Sequence, residues 1–144
     1  MPPDPNTLGE ARAWFKKALI DLRAARLEVG AIPSLNTDIV FHAQQAAEKS
    51  LKGFLTFHAR TFRKTHNLVE LGEACVTLDS TLEDLLHRAA SLTEYAWKFR
   101  YPGDPDEPTD TEAADALNLA QAVYEALLSS LPAEANPGFT SLGL

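Results

Sequence analysis

The apolar residues of one long, proline-free segment recur at the spacing of an α-helix. They are Ile39, Val40, Ala43, Ala46, Ala47, Leu51, Phe54, Leu55 and Phe57. At 100° per residue they cover an arc of roughly 180°, which is wider than the stripe of a typical surface helix. The pattern therefore predicts a central helix packed between other helices. Gln44 falls inside the arc, so its amide is expected to find hydrogen-bond partners in the interior.

The remaining face of this helix is polar and supplies the first candidates for function. It holds His42, Gln45, Lys49, Lys52 and Thr56. Glu48 precedes Lys52 by four residues, which is the spacing of an ion pair on a helix. Small residues along one side of the apolar arc allow a neighbouring backbone to approach closely: Ala43, Ala46, Ser50 and Gly53.

Apolar periodicity and capping signals predict four further helices. The five predicted helices cover residues 7–29, 36–60, 68–78, 80–100 and 109–131. Their starts are marked by Thr7 with Glu10, Asn36 or Thr37, Asn67 with Glu70, Ser80 with Glu83, and Thr109 with Glu112. No apolar run alternates with a period of two, so strands are not expected. The sequence predicts an all-α, mainly antiparallel up-and-down bundle of five helices over residues 7–131, with a flexible lead (1–6) and tail (132–144).

Helix 1 carries a second apolar stripe opposite its main apolar face. Its members are Ala13, Ile20, Ala24 and Leu27. A helix that is apolar on two faces lies deep in a bundle or offers one face to another chain. Basic residues scattered through helix 1 favour the second alternative, so the stripe is predicted to form a homodimer interface.

The net charge of −7 is unevenly distributed along the chain. Residues 1–64 contain ten Lys/Arg and six Asp/Glu, whereas residues 65–144 contain three and fourteen. An acidic chain is a poor non-specific binder of nucleic acid, although the first half could present a local basic face. Alternatively, the two halves complement each other across the bundle or between subunits. The single Cys75 excludes an internal disulfide and is expected to be a small buried hydrophobe.

Neither a signal peptide nor an apolar run of the ~20 residues needed to span a membrane is recognisable, so a cytoplasmic location away from membranes is expected. The sequence lacks a Gly-rich phosphate loop and the HExxH, CxxC and Gly-x-Ser-x-Gly motifs. His42 and His58 are too far apart on one helix to share a metal ion. We therefore expect no metal and no cofactor, and we expect His58 to lie in the core.

Among the histidines, His66 is the strongest candidate for a role in binding or catalysis. It lies close to Arg60, Arg63 and Lys64, just before a helix whose free N–H groups could meet an anion. This arrangement favours phosphate binding or acid–base chemistry. The alternative is that His66 and Asn67 only cap helix 3.

The exit of helix 4, residues 94–103, concentrates aromatic and cationic side chains. Such groups stack on bases and bind phosphates, and Tyr95, Arg100 and Tyr101 are the candidates here. The alternative is an aromatic cluster that closes one end of the core, with Arg100 near the negative end of the helix dipole.

Three stretches in series resemble the HEPN family (higher eukaryotes and prokaryotes nucleotide-binding domain). They are FHAQQAAEKSLKGFL (41–55), KTHNL (64–68) and the Tyr95…Arg100-Tyr101-Pro102-Gly103 exit. The resemblance covers about residues 8–131 and implies a four- to five-helix bundle that is usually a homodimer. It also implies a small nucleotidyltransferase as a partner, in a toxin–antitoxin-like pair.

Many HEPN toxins are metal-independent ribonucleases with an Arg, four to six residues, then His, late in the domain. Here Arg100 is followed by YPGDPDEP, without a histidine. Arg60 and His66 have suitable spacing but follow helix 2 instead.

The sequence accordingly predicts a nucleotide- or RNA-binding homodimer that acts with a nucleotidyltransferase. Its predicted phosphate-binding groove consists of Gln45, Lys49, Lys52, His66, Tyr95, Arg100 and Tyr101. One alternative is a ribonuclease toxin that uses His66 with Arg60 or Arg100. A second alternative is a purely structural interaction module.

Overall fold

The computed structural model describes residues 4–104 and 106–138, and within these residues it contains helices but no strand. Five α-helices follow one another: α1 (Pro5–Glu28), α2 (Asn36–Phe57), α3 (Leu68–Leu78), α4 (Glu83–Ala89) and α5 (Asp110–Ser129). Three 3₁₀ segments cover Ser80–Leu82, Ala90–Ala96 and Ala133–Ala135. The prediction of an all-α five-helix bundle is confirmed. No helix in the described ranges combines the length and the apolar character that crossing a bilayer requires.

Helix α2 lies at the centre of the bundle, as its wide apolar arc predicts. It packs against α1, α3, α5 and the segment Ala90–Ala96. Its apolar residues Val40, Leu51 and Leu55 are almost completely buried. Gly53 marks a close approach to α1, since a Cβ atom there would lie only 2.9 Å from Cε2 of Phe15. The remaining face of α2 is therefore the part of this helix that can meet ligands.

The starts of α1 and α2 differ from the predictions. α1 begins at Pro5, and its cap is Asp4, whose Oδ1 accepts a hydrogen bond of 2.9 Å from the Thr7 N–H. The predicted Thr7–Glu10 capping box is wrong because an acidic cap followed by proline at the first helical position starts the helix earlier.

The cap predicted for α2 is also wrong, because the helix begins at Asn36 after Leu35, which makes no side-chain cap. The buried Asn36 amide instead donates to Pro108 O at 3.1 Å and to Asp110 Oδ1 at 2.7 Å. It thereby links the start of α2 to the start of α5. Two of the other three caps, Asn67 at α3 and the Thr109–Glu112 box at α5, are confirmed.

The predicted continuous helix over residues 80–100 is wrong. Asp79 caps the 3₁₀ turn Ser80–Leu82 by accepting from the Thr81 N–H, so the Ser80–Glu83 box does not form. After the short α4 the chain winds as a 3₁₀ helix to Ala96. In this tighter segment Thr93 Oγ1 accepts a hydrogen bond of 3.1 Å from the Leu68 N–H. That contact satisfies a free N–H group at the start of α3. The apolar pattern of residues 80–100 alone does not reveal this partner.

Helix α1 packs against the segment Ala133–Ala135. Ala135 is buried, and Nε of Arg12 in α1 donates to Glu134 O at 2.8 Å. The predicted flexible lead and tail include residues 1–3 and 139–144, which lie outside the described residues.

Candidate functional site

Segments that are distant in the sequence meet on one face of α2. Phe41, Gln45, Glu48 and Lys52 share this face because they follow one another at steps of three or four residues. At one end, the Arg100 guanidinium carbon lies 3.8 Å from the centroid of the Phe41 ring. About 10 Å further along the helix axis, Nδ1 of His66 lies 2.7 Å from Oε1 of Glu48. The structure thus brings the three stretches 41–55, 64–68 and 95–103 to one surface.

The carboxylate of Glu48 is the centre of this surface. Its Oε1 faces His66 and accepts from Nε2 of Gln44 at 3.1 Å, while its Oε2 accepts from Nζ of Lys52 at 2.9 Å. Burial alone would raise the pKa of Glu48, but the hydrogen bonds from Lys52, His66 and Gln44 outweigh it and lower the pKa. Glu48 is therefore a fixed, ionised acceptor at neutral pH.

His66 is oriented by this buried carboxylate while remaining open to solvent. Its side chain is 64 % exposed, whereas that of Glu48 is 5 % exposed. A carboxylate only accepts hydrogen bonds, so Nδ1 of His66 is the donor and Nε2 is left for another partner. Of the two residues in the alternative prediction, Asn67 caps α3 as expected, whereas the His66 ring makes no cap and contacts Glu48 instead.

Gln44 finds the interior partners predicted for it. The residue is completely buried, and its Nε2 donates to Glu48 and, at 3.2 Å, to the backbone oxygen of His66. Its Oε1 accepts from Nε2 of Gln45 at 2.7 Å. Gln44 therefore fixes both the connection that carries His66 and the half-buried amide of Gln45.

The two candidate lysines are paired with carboxylates. Nζ of Lys49 lies 2.6 Å from Oδ2 of Asp21 in α1. Lys52 is only 8 % exposed, and its ammonium lies 5.6 Å from the centre of the Trp14 ring in addition to its bond with Glu48. Their positive charges offset the two buried carboxylates, and the more exposed cation on this face is Arg100.

Asp21 was not predicted for the site, and Glu48 was predicted only as the ion-pair partner of Lys52. Asp21 lies among the buried positions Ala18, Leu22 and Ala25 of α1. An acidic residue at such a position must be paired when it is buried, and this was the available signal.

The exit after Ala96 is partly exposed. Nη1 of Arg100 donates to Ala96 O at 3.2 Å, so Arg100 also satisfies a carbonyl at the end of the 3₁₀ segment. Tyr101 is 64 % exposed, whereas Tyr95 is half-buried and its ring lies 6.2 Å from that of Phe99. Burial, with smaller contributions from nearby acidic groups, raises the pKa of Tyr95. Tyr101 is therefore the more accessible of the two tyrosines.

The cations before α3 are less concentrated around His66 than their spacing suggests. Arg63 forms an ion pair with Glu70, with N–O distances of 2.7 to 2.9 Å. The side chain of Arg60 is exposed and makes no polar contact with His66 within the described ranges. His58, predicted to lie in the core, is exposed at the turn after α2 because the helix ends at Phe57.

A second polar cluster surrounds His42 at the α1–α2 junction. Nδ1 of His42 lies 2.8 Å from Oδ1 of Asp21, and this hydrogen bond raises the pKa of His42 although burial opposes it. Burial and the adjacent Asp38 carboxylate raise the pKa of Glu28 to about 7. Oε1 of Glu28 is buried and has no hydrogen-bond partner among the described residues.

The second stripe of α1 faces solvent. Ile20 is 47 % exposed and Leu27 is 83 % exposed, while Ala13 is exposed and Ala24 is partly exposed. The stripe is thus available to a partner.

One family model matches the chain. It describes the HEPN domain and covers residues 11–131. No curated protein and no solved structure matches the chain.

Proposed function

Because the chain belongs to the HEPN domain family, we propose that it binds nucleotide or RNA at the face of α2 described above. The observation that carries this proposal is the convergence of His66 and Arg100 on that face, each held by a residue of α2. Both side chains are exposed; the Arg100 guanidinium can donate hydrogen bonds to phosphate oxygens, and Nε2 of His66 can do so when the ring carries both protons.

Arg100 is the principal phosphate ligand in this proposal. Its guanidinium lies against Phe41 while Nη1 donates to Ala96 O, and the remaining N–H groups along its edge would donate to a phosphate. Tyr101, one residue further on, offers an exposed ring for stacking on a base. Tyr95 supports this end of the site from its half-buried position.

Gln45, Lys49 and Lys52 form the floor of the proposed site. The lysines offset the charge of Asp21 and Glu48, which would otherwise repel a phosphate. The amide of Gln45 is anchored by Gln44 and hydrogen-bonds to a base or sugar.

The test is the affinity for labelled single-stranded RNA and for a mononucleotide, measured by fluorescence anisotropy at fixed salt. Arg100→Ala is expected to weaken binding at least about tenfold, since a charged hydrogen bond contributes about 1.5–3 kcal/mol. Arg88→Ala, which removes an exposed arginine from α4, is the matched control and should retain full affinity. Unchanged affinity in folded Arg100→Ala and His66→Ala would overturn the proposed site.

The quaternary part of the proposal is a homodimer through Ala13, Ile20, Ala24 and Leu27, acting with a nucleotidyltransferase in a toxin–antitoxin-like module. The exposure of Ile20 and Leu27 supports it. Analytical ultracentrifugation should show a dimer that dissociates in Ile20→Asp and Leu27→Asp but persists in Val69→Asp, an exposed apolar residue of α3. Co-purification of a co-expressed nucleotidyltransferase tests the partner.

The Glu48–His66 contact supports a second candidate function, a metal-independent ribonuclease. A buried carboxylate that orients an exposed histidine leaves Nε2 suitable for moving a proton to or from a ribose hydroxyl. Arg100 or Arg60 would stabilise the phosphorane. Cleavage of RNA in the presence of EDTA, lost in His66→Ala, would favour this function over binding alone. A dimer that neither binds nucleotide or RNA nor cleaves RNA would favour the remaining alternative, a purely structural interaction module.

A further inference from the structure

We propose that Glu28, Asp38 and His42 bind a divalent transition-metal ion such as Zn²⁺, which connects the end of α1 to the start of α2. The three side chains come from two helices, and one potential ligand atom of each lies within 4.8 Å of the other two. An imidazole nitrogen with carboxylate oxygens is a donor set that Zn²⁺ and its neighbours accept.

The distances around Nε2 of His42 fit ligands of one ion better than hydrogen-bond partners. Nε2 lies 3.5 Å from Oδ2 of Asp38 and 3.9 Å from Oε1 of Glu28. Both separations exceed a normal hydrogen bond of about 2.7–3.2 Å. Ligands of a tetrahedral zinc ion at about 2.1 Å stand about 3.4 Å from one another, which is close to these values.

The other nitrogen of His42 is held as in known metal sites. Nδ1 lies 2.8 Å from Oδ1 of Asp21, which is itself buried and paired with Lys49. A metal-bound histidine commonly donates its second N–H to a carboxylate, because that bond sets the tautomer and the ring orientation. With the proton on Nδ1, the lone pair of Nε2 points to Asp38 and Glu28.

Oε1 of Glu28 is a buried acceptor without a hydrogen-bond partner within the described ranges, although the Glu28 carboxyl as a whole interacts with Asp38. The Glu28 side chain as a whole is 18 % exposed. A buried acceptor without a partner is costly, and a cation would satisfy it. Asp38, whose side chain is 52 % exposed, leaves a path for the ion to enter.

The chain also provides a matched control. Glu83 and His87 are spaced four residues apart on α4, as Asp38 and His42 are on α2, but both are exposed. They belong to no group of three potential ligands in the described ranges. If a carboxylate and a histidine four residues apart were sufficient to bind a metal ion, the Glu83–His87 pair of α4 would bind one as well.

The experiment uses the full chain stripped with EDTA and titrated with Zn²⁺ by calorimetry, with Mg²⁺ as a second probe. We expect one Zn²⁺ per chain, at least tenfold weaker binding in Asp38→Asn and Glu28→Gln, and unchanged binding in Glu83→Gln and His87→Ala. At the same concentration, Zn²⁺ should also raise the melting temperature of the wild type more than that of Asp38→Asn, because a ligand of the folded state stabilises it according to its affinity.

Co²⁺ absorption of the wild-type protein keeps the test decisive if Glu28→Gln does not fold. A spectrum typical of tetrahedral Co²⁺ with one nitrogen ligand is expected. Absence of stoichiometric Zn²⁺ binding would overturn the proposal. The proximity of Glu28 and Asp38 would then be explained by a proton that the two carboxylates share. Equal affinity in Asp38→Asn and wild type, or loss of binding only in His87→Ala, would overturn it too.

Discussion

Nδ1 of His66 lies 2.7 Å from Oε1 of Glu48, so an exposed histidine is held by a carboxylate that is almost completely buried. The same carboxylate neutralises Lys52, which is also buried. Stability and the geometry of the candidate site therefore depend on one side chain.

Replacement of Glu48 by Ala should destabilise the fold strongly. It leaves the ammonium of Lys52 buried without its carboxylate, and breaking a buried ion pair costs about 3–5 kcal/mol. Glu70→Ala, which breaks the exposed pair with Arg63, is the matched control and should cost at most about 1 kcal/mol. The free energy of unfolding in urea measures both. Equal losses in the two variants would contradict the role assigned to Glu48.

Stability should depend on pH through Glu48. Its pKa is lowered in the folded state, so its contribution is fully present above the unfolded value of about 4.3 and is lost as the pH falls through the folded value. Unfolding free energies between pH 3 and 6 should therefore fall less steeply in Glu48→Gln than in the wild type. Parallel profiles for the two proteins would count against this assignment.

The thiol of Cys75 should be unreactive in the folded protein. Burial raises its pKa to about 12, and Sγ lies 3.7 Å from the Leu51 carbonyl oxygen. Because the thiolate is the reactive form, a thiol-specific disulfide reagent should modify Cys75 only as fast as the protein unfolds. Thr111→Cys in a Cys75→Ala background places a thiol on the exposed side of α5 and should react immediately. Equally fast modification of both thiols would show that Cys75 is accessible.

Gly53→Ala and Gly9→Ala should change stability in opposite directions. A Cβ atom at Gly53 would lie 2.9 Å from the Phe15 ring and 3.1 Å from Cβ of Trp14, so the buried Phe15 ring or the packing of α1 on α2 must shift. Overpacking of this kind costs about 1–3 kcal/mol, which exceeds the gain in helix propensity. At Gly9 nothing lies within 4 Å, and alanine should stabilise α1 by about 0.5–1 kcal/mol. Thermal unfolding of both variants measures whether the melting temperature falls in Gly53→Ala and rises in Gly9→Ala.

Local signals explain which helices could be predicted from the sequence. The Asn67 cap, the Thr109–Glu112 box and the interior position of Gln44 follow from nearby residues alone, and all are confirmed. Local signals could not show that the predicted continuous helix over residues 80–100 is interrupted. Its 3₁₀ part brings Thr93 to the free N–H of Leu68, and that donor belongs to another helix.

The sequence by itself determined the helical bundle, the central position of α2 and the family, because helical periodicity and the order of motifs are properties of the linear sequence. It also singled out His66 and Arg100. Only the tertiary structure decided that Lys49 meets Asp21, that Glu48 holds His66, and that Glu28 joins Asp38 and His42. Whether a charged side chain faces solvent or a counter-charge depends on what another helix places opposite it, and one helix pattern does not contain that information.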